Sequence, residues 1–281
     1  MMPTARRTSM NIRRAIRRGC TRTFAGLLVG AATAASAGAQ VSVEQFEIFF
    51  RLTPGATRLT TQAFRVNNAG NSAAQVTVTA QDWDRSATGE NRYYSLGQLP
   101  ASCRHAVQVF PSVLQLDAHS SQDVRVTVDS AASVAAGCHT ILFVESPADR
   151  TLSRGTALVY SLRYGVKVYV EREGTLASEI ENIEVVVAAD PNAAADARDL
   201  VLTVRNTGAR QAVSKGTLEI RRADNSVAAK VDIAEFPSLP GAVRTVRLQL
   251  PKLARGQYVL LATLDFGGAE LIAGQTELEV P

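Results

Sequence analysis

The residues best suited to chemistry in this sequence are cysteines and histidines that stand next to one another. Cys103 lies two residues before His105, and Cys138 directly precedes His139. Thiolate and imidazole groups bind zinc, but structural zinc sites usually space their paired ligands differently. A metal site therefore remains the weaker alternative for these cysteines, and we expect the protein to hold no metal and no other cofactor.

A pair of carboxylates is the second feature with chemical potential. Asp82 and Asp84 flank Trp83, so an extended strand places both carboxylates on one face, where they can bind a cation or act as acid and base. The interpretation that we favour makes Asp84 the start of a turn to Gly89 and Trp83 a core anchor. The sequence has no P-loop, no His-Glu-x-x-His and no Gly-x-Ser-x-Gly motif. We expect no catalytic residues and a protein that is not an enzyme.

Residues 1–39 have the composition of a secretory signal peptide. An arginine-rich start is followed by an apolar run of about 12 residues and by small residues that place cleavage after Ala39. Such a run is shorter than the roughly 20 residues that span a bilayer. We expect this segment to be removed, leaving a periplasmic chain without a transmembrane anchor. Met10 is an alternative start to Met1.

The positive charge of the sequence belongs to that leader. The formal net charge is +4, from 30 basic and 26 acidic residues, but seven arginines precede residue 40. Without them, 23 basic residues stand against 26 acidic ones, which is a net charge of about −3. A mildly acidic chain with no basic cluster among aromatics argues against nucleic-acid binding.

Export also determines which oxidation state we expect for the cysteines. Removal of the leader takes Cys20 with it and leaves Cys103 and Cys138, an even pair in an oxidising compartment. We expect them to form one disulfide, which stabilises the fold by roughly 3–4 kcal/mol through the unfolded state.

Alternation of apolar and polar residues recurs along the chain, with turn signals every 8–12 residues. Examples are Val124-Arg-Val-Thr-Val128 and Leu200-Val-Leu-Thr-Val204. This pattern predicts short antiparallel strands, and its length fits two immunoglobulin-like β-sandwich domains in series. We place the signal peptide at 1–39, the N-terminal domain at 40–172 and the C-terminal domain at 173–281.

One predicted strand, residues 157–170, carries an unusually long apolar row. By parity its members share one face: Leu158, Tyr160, Leu162, Tyr164 and Val166. The row either faces the core of its own domain or borders a groove, where it lends itself to a partner that lacks a strand. The residues alone leave both readings open.

The N-terminal half resembles the periplasmic pilus-subunit chaperones, which consist of two immunoglobulin-like domains. The resemblance rests on the order and spacing of several segments rather than on any one motif, and it covers most of the predicted N-terminal domain. These segments are Val41-Ser-Val43, Ala63-Phe-Arg-Val-Asn-Asn68, Gln81-Asp-Trp83, Phe110-Pro-Ser-Val-Leu-Gln-Leu116, Val124-Arg-Val-Thr-Val128 and Val166-Lys-Val-Tyr169. The Asp82-Trp83 pair, Pro100-Ala-Ser-Cys103 and Gly137-Cys138-His139 look like a divergent branch of that family.

The resemblance implies roles for particular residues. In the family, alternating apolar residues of the last strand complete the unfinished fold of a pilus subunit, and Leu158, Tyr160 and Leu162 match them, with Tyr164 continuing the row. A lysine between the domains anchors the subunit's C-terminal carboxylate, and Lys167 matches it.

The first strand departs from the family pattern. The family pairs its lysine with an arginine there, whereas the matching residue in this sequence is Glu47. A carboxylate beside Lys167 would neutralise the anchor. Arg51 is the alternative, but it falls four residues later, about 13 Å along an extended strand.

The implied function is a periplasmic chaperone that caps pilus or surface-fibre subunits by donor-strand complementation, with an outer-membrane usher as a further partner. A homodimer through the exposed strand is also consistent with the sequence. The alternatives are a secreted structural or adhesive protein with self-sufficient domains, and a carbohydrate-binding module built on Trp83, Tyr93 and Tyr94.

Overall fold

All regular structure in the described chain is β-strand. The computed structural model describes residues 40–53, 59–131, 137–147, 161–190, 192, 194 and 196–281, and these fall within a single compact unit. Their strands form four sheets. No helix within these ranges has the length and apolar character needed to cross a bilayer.

The first ten strands form two sheets. Their bounds are β1 (Val41–Val43), β2 (Glu47–Leu52), β3 (Leu59–Asn68), β4 (Ala74–Arg85), β5 (Asn91–Tyr94), β6 (Val107–Phe110), β7 (Val113–Leu116), β8 (Ser120–Asp129), β9 (Cys138–Ser146) and β10 (Leu162–Arg172). One sheet has the order β1-β3-β8-β6, and the other has the order β2-β10-β9-β4-β5 with β7 paired to β4. The pairing of β2 with β10 is parallel, and the other pairings are antiparallel.

Period-2 alternation explains why these two sheets pack against each other. In β8, Val124, Val126 and Val128 are fully buried, while the intervening Arg125 and Thr127 face outward. Successive side chains on a strand point to opposite faces, so each strand offers one apolar row to a shared core. The inner rows of both sheets meet in one cluster of buried residues.

The remaining seven strands form a second sandwich. Their bounds are β11 (Ser178–Val187), β12 (Arg198–Asn206), β13 (Ala212–Arg222), β14 (Val227–Ser238), β15 (Val243–Gln249), β16 (Gly256–Asp265) and β17 (Ile272–Val280). Sheets β11-β12-β15 and β14-β13-β16-β17 enclose their own core, in which Leu200, Leu202, Leu218 and Leu260 are fully buried. The predicted all-β architecture is confirmed, whereas the domain bounds 40–172 and 173–281 stay a prediction.

The predicted disulfide is present. Cys103 and Cys138 are bonded, their Cα atoms are 5.2 Å apart, and both side chains are buried. The bond ties the loop after β5 to the start of β9. Because it occupies both sulfur atoms, it leaves no thiolate for the alternative cysteine–histidine metal site.

The two sandwiches contact each other through a small apolar cluster and a few hydrogen bonds. Leu239, between β14 and β15, packs with Trp83 and Tyr169 of the first sandwich. The backbone N–H of Thr245 donates to the carbonyl of Ala87 over 2.8 Å. These contacts position the outer face of β4 and β10 next to the second sandwich.

Candidate functional site

Among the described strands, none pairs with one side of β10 over part of its length. β9 pairs with β10 from Leu162 to Val170, but β2 begins pairing on the opposite side only at Lys167, whose N–H donates to the carbonyl of Phe46 over 2.8 Å. Backbone groups alternate sides along a strand, so the N–H and C=O groups of Arg163 and Gly165 face the same side as those of Lys167. No described strand occupies that side before Lys167. An open edge of this kind is a template for another strand.

Apolar side chains border this open edge. Leu162 exposes 49% of its surface and Phe46 exposes 52%. The ring of Phe46 lies 6.4 Å from that of Tyr164, centroid to centroid. Tyr164 is itself half-buried against the core of the first sandwich, and its hydroxyl donates to the carbonyl of Val41 over 2.9 Å.

The structure therefore divides the predicted apolar row. Val166 is fully buried, Tyr164 packs against the core of its own domain, and Leu162 projects into solvent. Leu158 and Tyr160 lie outside the described residues. The donor-strand role of these side chains stays a prediction.

Lys167 lies at the point where the open edge ends. Its Nζ is 4.8 Å from the centre of the Trp83 ring, close enough for a cation–π contact. Burial lowers the pKa of Lys167, the charge of Arg85 lowers it further, and the charge of Glu47 opposes this change. Within the described ranges the ammonium group has no hydrogen-bonded or ion-paired partner. It is a half-buried cation available to an anion.

The parallel pairing of β2 with β10 fixes which residue of the first strand accompanies Lys167. Glu47 is its Cα partner, whereas Arg51 is opposite Glu171. Glu47 is exposed, and it accepts a 3.3 Å hydrogen bond from the Tyr169 hydroxyl. The residue predicted from the sequence to accompany Lys167 is therefore the one found there, and β2 contributes a negative charge at this place.

The aromatic residues do not form a sugar-binding platform around Trp83. Trp83 is only 1% exposed, and its ring meets those of His139 and Tyr169 edge-on at 5.5 and 5.9 Å. Stacking on a sugar requires an accessible ring face, so the alternative built on Trp83, Tyr93 and Tyr94 is wrong for Trp83. The expectation that Trp83 anchors the interior is confirmed, although the cluster that it anchors includes Leu239 of the second sandwich.

The two carboxylates beside Trp83 serve structural purposes. Asp82 is fully buried and accepts hydrogen bonds from the N–H groups of Gly97 and Leu99, at 3.0 and 2.9 Å, and from the Ser102 hydroxyl at 2.6 Å. Asp84 instead pairs with Arg92 at 2.7 Å. Asp82 therefore fastens the loop after β5, whereas Asp84 links β4 to β5, and the two carboxylates do not form an acid–base couple.

The sequence reasoning missed two arginines, one beside the Trp83 ring and one near the first. The guanidinium carbon of Arg85 lies 5.6 Å from the centre of the same Trp83 ring. Arg244, on β15, is buried, and its Nη1 donates to the carbonyl of Ser86 over 3.3 Å. Burial lowers the pKa of Arg244, and the charge of Arg85 lowers it further. The only available signal was that Arg85 continues the outward face of β4 that carries Trp83.

The arrangement can bind a strand along β10 and an anion at its end. The open backbone edge offers donors and acceptors without regard to sequence, whereas Leu162 and Phe46 offer apolar contacts. Lys167 and Arg85 add positive charge where the edge ends.

The comparisons with known proteins relate the fold to one group of solved structures. No protein-family model matches the sequence, and no curated protein is similar to it in sequence. The crystal structure of the class 5 fimbriae chaperone CfaA is similar to this chain with a TM-score of 0.50 and 13% identity, covering 86% of this chain and 100% of CfaA. The YadV chaperone has a TM-score of 0.45 at 13% identity, covering 85% of this chain and 99% of its own. The Salmonella enterica SafB chaperone, solved in complex with SafA pilin, has a TM-score of 0.42 at 13% identity, covering 86% and 96%. The likeness to CfaA confirms the predicted fold of two immunoglobulin-like domains and, at the level of the fold, the predicted resemblance to the pilus-subunit chaperones.

Proposed function

We propose that this protein is a chaperone for pilus or surface-fibre subunits, and that it binds them by pairing the open edge of β10 with a strand of the subunit. The observation that carries the proposal is that none of the described strands pairs with one side of β10 between Leu162 and Val166. The fold shared with the fimbrial chaperone CfaA supports the same class of function.

The binding mode follows from the backbone. A subunit that lacks a strand exposes an apolar groove and unpaired backbone groups, and an open edge can satisfy both. Leu162 enters that groove from β10, with Leu158 and Tyr160 continuing the row beyond the described residues. Tyr164 does not enter the groove, because its side chain already packs against the core of its own domain. It holds β10 in position instead.

Lys167 is the proposed anchor for the C-terminal carboxylate of the subunit. It is half-buried, it has no ionic partner among the described residues, and it lies where the open edge ends. A charge-assisted hydrogen bond at this position fixes how far along β10 the subunit strand can lie.

The cellular setting is part of the proposal. We assign residues 1–39 to a signal peptide, 40–172 and 173–281 to the two domains, and the mature protein to the periplasm, where the Cys103–Cys138 disulfide is maintained. An outer-membrane usher is the expected second partner. Without a subunit, the same open edge permits a homodimer.

The experiment is backbone amide hydrogen exchange of the purified protein, alone and with a pilus subunit encoded beside its gene. The amides of Arg163 and Gly165 face the open side and should exchange quickly in the free protein, then become protected in the complex. Strand β6 (Val107–Phe110) is the outer strand of the other sheet and serves as the control edge. Binding that leaves Arg163 and Gly165 unprotected, or that protects β6 instead, would contradict the proposal.

A further inference from the structure

A carboxylate is held weakly if Lys167 is its only cation. The ammonium group is half exposed, and Glu47 is its partner in the register between β2 and β10. The negative charge of Glu47 on the neighbouring strand offsets part of the attraction between Lys167 and an incoming carboxylate. Selective binding of an anion here therefore needs a second positive group.

Arg85 is placed to be that group. Its guanidinium carbon and the Nζ of Lys167 lie 5.6 and 4.8 Å from the centre of the same indole ring, that of Trp83. Arg85 also lowers the pKa of Lys167, since the two positive charges repel each other. The two cations therefore lie at most about 10 Å apart, so the charges of both can act on one ligand between them.

The guanidinium of Arg85 keeps capacity for a ligand. Its Nε donates to Asn91 over 3.3 Å and its Nη1 donates to the carbonyl of Pro237 over 3.4 Å, both long bonds to neutral acceptors. Among the described residues it has no carboxylate partner. Its remaining terminal nitrogen, Nη2, has no hydrogen-bond acceptor among the described residues and can donate to a ligand.

Arg244, which belongs to the second sandwich, adds a further positive charge near Arg85. Its guanidinium packs on Gly89, where an added Cβ would lie 2.6 Å from Nη2, and its buried Nε has no hydrogen-bond partner in the described chain. The charge of Arg85 lowers the pKa of both Lys167 and Arg244, so Arg85 is near each of them. Three cations from β4, β10 and β15 thus converge with no carboxylate bonded to any of them within the described residues.

We propose that Arg85 is the second binding group for a chain-terminal carboxylate, which is held between Lys167 and Arg85 beside the Trp83 indole. The inference rests on the proposed anchoring role of Lys167 and adds the residue that makes the site selective. Both groups donate charge-assisted hydrogen bonds, which a carboxylate accepts more strongly than a neutral carboxamide does. The second cation thus comes from β4, in place of the first strand.

The test uses the peptide acetyl-Thr-Val-Thr-Val-Thr-Val, made once with a free C-terminal carboxylate and once as the carboxamide. Fluorescence of Trp83, the single tryptophan of the chain, reports binding to the purified protein. Wild-type protein should prefer the acid by about tenfold or more, and R85Q and K167Q should each reduce that preference by about tenfold. R85K should keep most of it. R51Q, which removes the same charge from the far end of the β2 ladder, should keep all of it.

The outcomes separate this inference from the proposed function. If K167Q loses the preference and R85Q keeps it, Arg85 is not a binding group, although the Lys167 anchor stands. If wild-type protein binds acid and amide equally, neither Lys167 nor Arg85 binds a chain-terminal carboxylate. The proposed strand pairing along β10 is then tested by hydrogen exchange alone. Should R85Q fail to fold, the Arg85 Nε–H resonance of wild-type protein decides, because it should shift with the acid peptide and not with the amide.

Discussion

Replacing Leu162 by aspartate separates binding from folding, because Leu162 belongs to the open edge and only partly to the core. Its side chain exposes 49% of its surface in the free protein. Complete burial of a leucine stabilises by about 1.5–3 kcal/mol, so burying the exposed half in a complex contributes about 1 kcal/mol. L162A should therefore weaken subunit binding about fivefold.

Aspartate at the same place carries a second penalty. The complex would bury its carboxylate in an apolar groove without a partner, which costs several kcal/mol more. L162D should therefore weaken binding at least about 100-fold. The free protein should lose less than about 1 kcal/mol of unfolding free energy, because the new carboxylate remains in water.

The assay is calorimetric titration of each variant with the pilus subunit that is used for hydrogen exchange. Urea unfolding of each free variant measures its stability. L271D is the matched control, since Leu271 is 63% exposed and precedes a strand of the second sandwich. V166D is the opposite control, because Val166 is fully buried and its replacement should prevent stable folding. Binding by L162D within twofold of wild type would refute the assignment of the open edge.

Three further predictions concern charge. E47Q should strengthen binding of a carboxylate-terminated peptide several-fold and leave the amide unchanged, since it removes the negative charge opposite Lys167; an equal gain for both peptides would contradict this. D82A should lower the unfolding free energy by about 3 kcal/mol, measured in urea, because three donors lose a buried acceptor; D84A, at a half-buried ion pair, should lower it much less. Burial lowers the pKa of His139 below 6.5, so the folded state binds fewer protons there than the unfolded state. Its contribution to stability is therefore present above about pH 6.5 and should be lost below it, by up to about 1.4 kcal/mol per pH unit, and H139Q should flatten this slope.

Features that depend on local pattern could be predicted from the sequence. Alternation fixes which residues of β8 enter the core, so Val124, Val126 and Val128 were identifiable without coordinates. The even pair of exported cysteines predicted the disulfide. The resemblance to the pilus-subunit chaperones matched Glu47 to the position beside Lys167 but left Arg51 as an alternative, and only the β2–β10 register distinguishes the two.

Features that depend on contact between the sandwiches could not be predicted. The Arg85 guanidinium reaches the carbonyl of Pro237, which lies 152 residues later, and no local pattern encodes that meeting. Arg244 likewise enters the site only because β15 packs against the turn at Gly89. Parity also could not show that the apolar row divides at Tyr164, because whether a residue on the inner face is covered depends on where the opposite sheet ends.

The point at which β2 begins limits how far an added strand can pair along β10. An incoming strand can extend along the open edge only until it meets Phe46, whose carbonyl already occupies the N–H of Lys167. A slip of one residue would turn every side chain of that strand to the wrong face. If the proposed strand addition is correct, the length of the free edge, set by this stop, selects partners by how many residues separate their apolar row from their chain end.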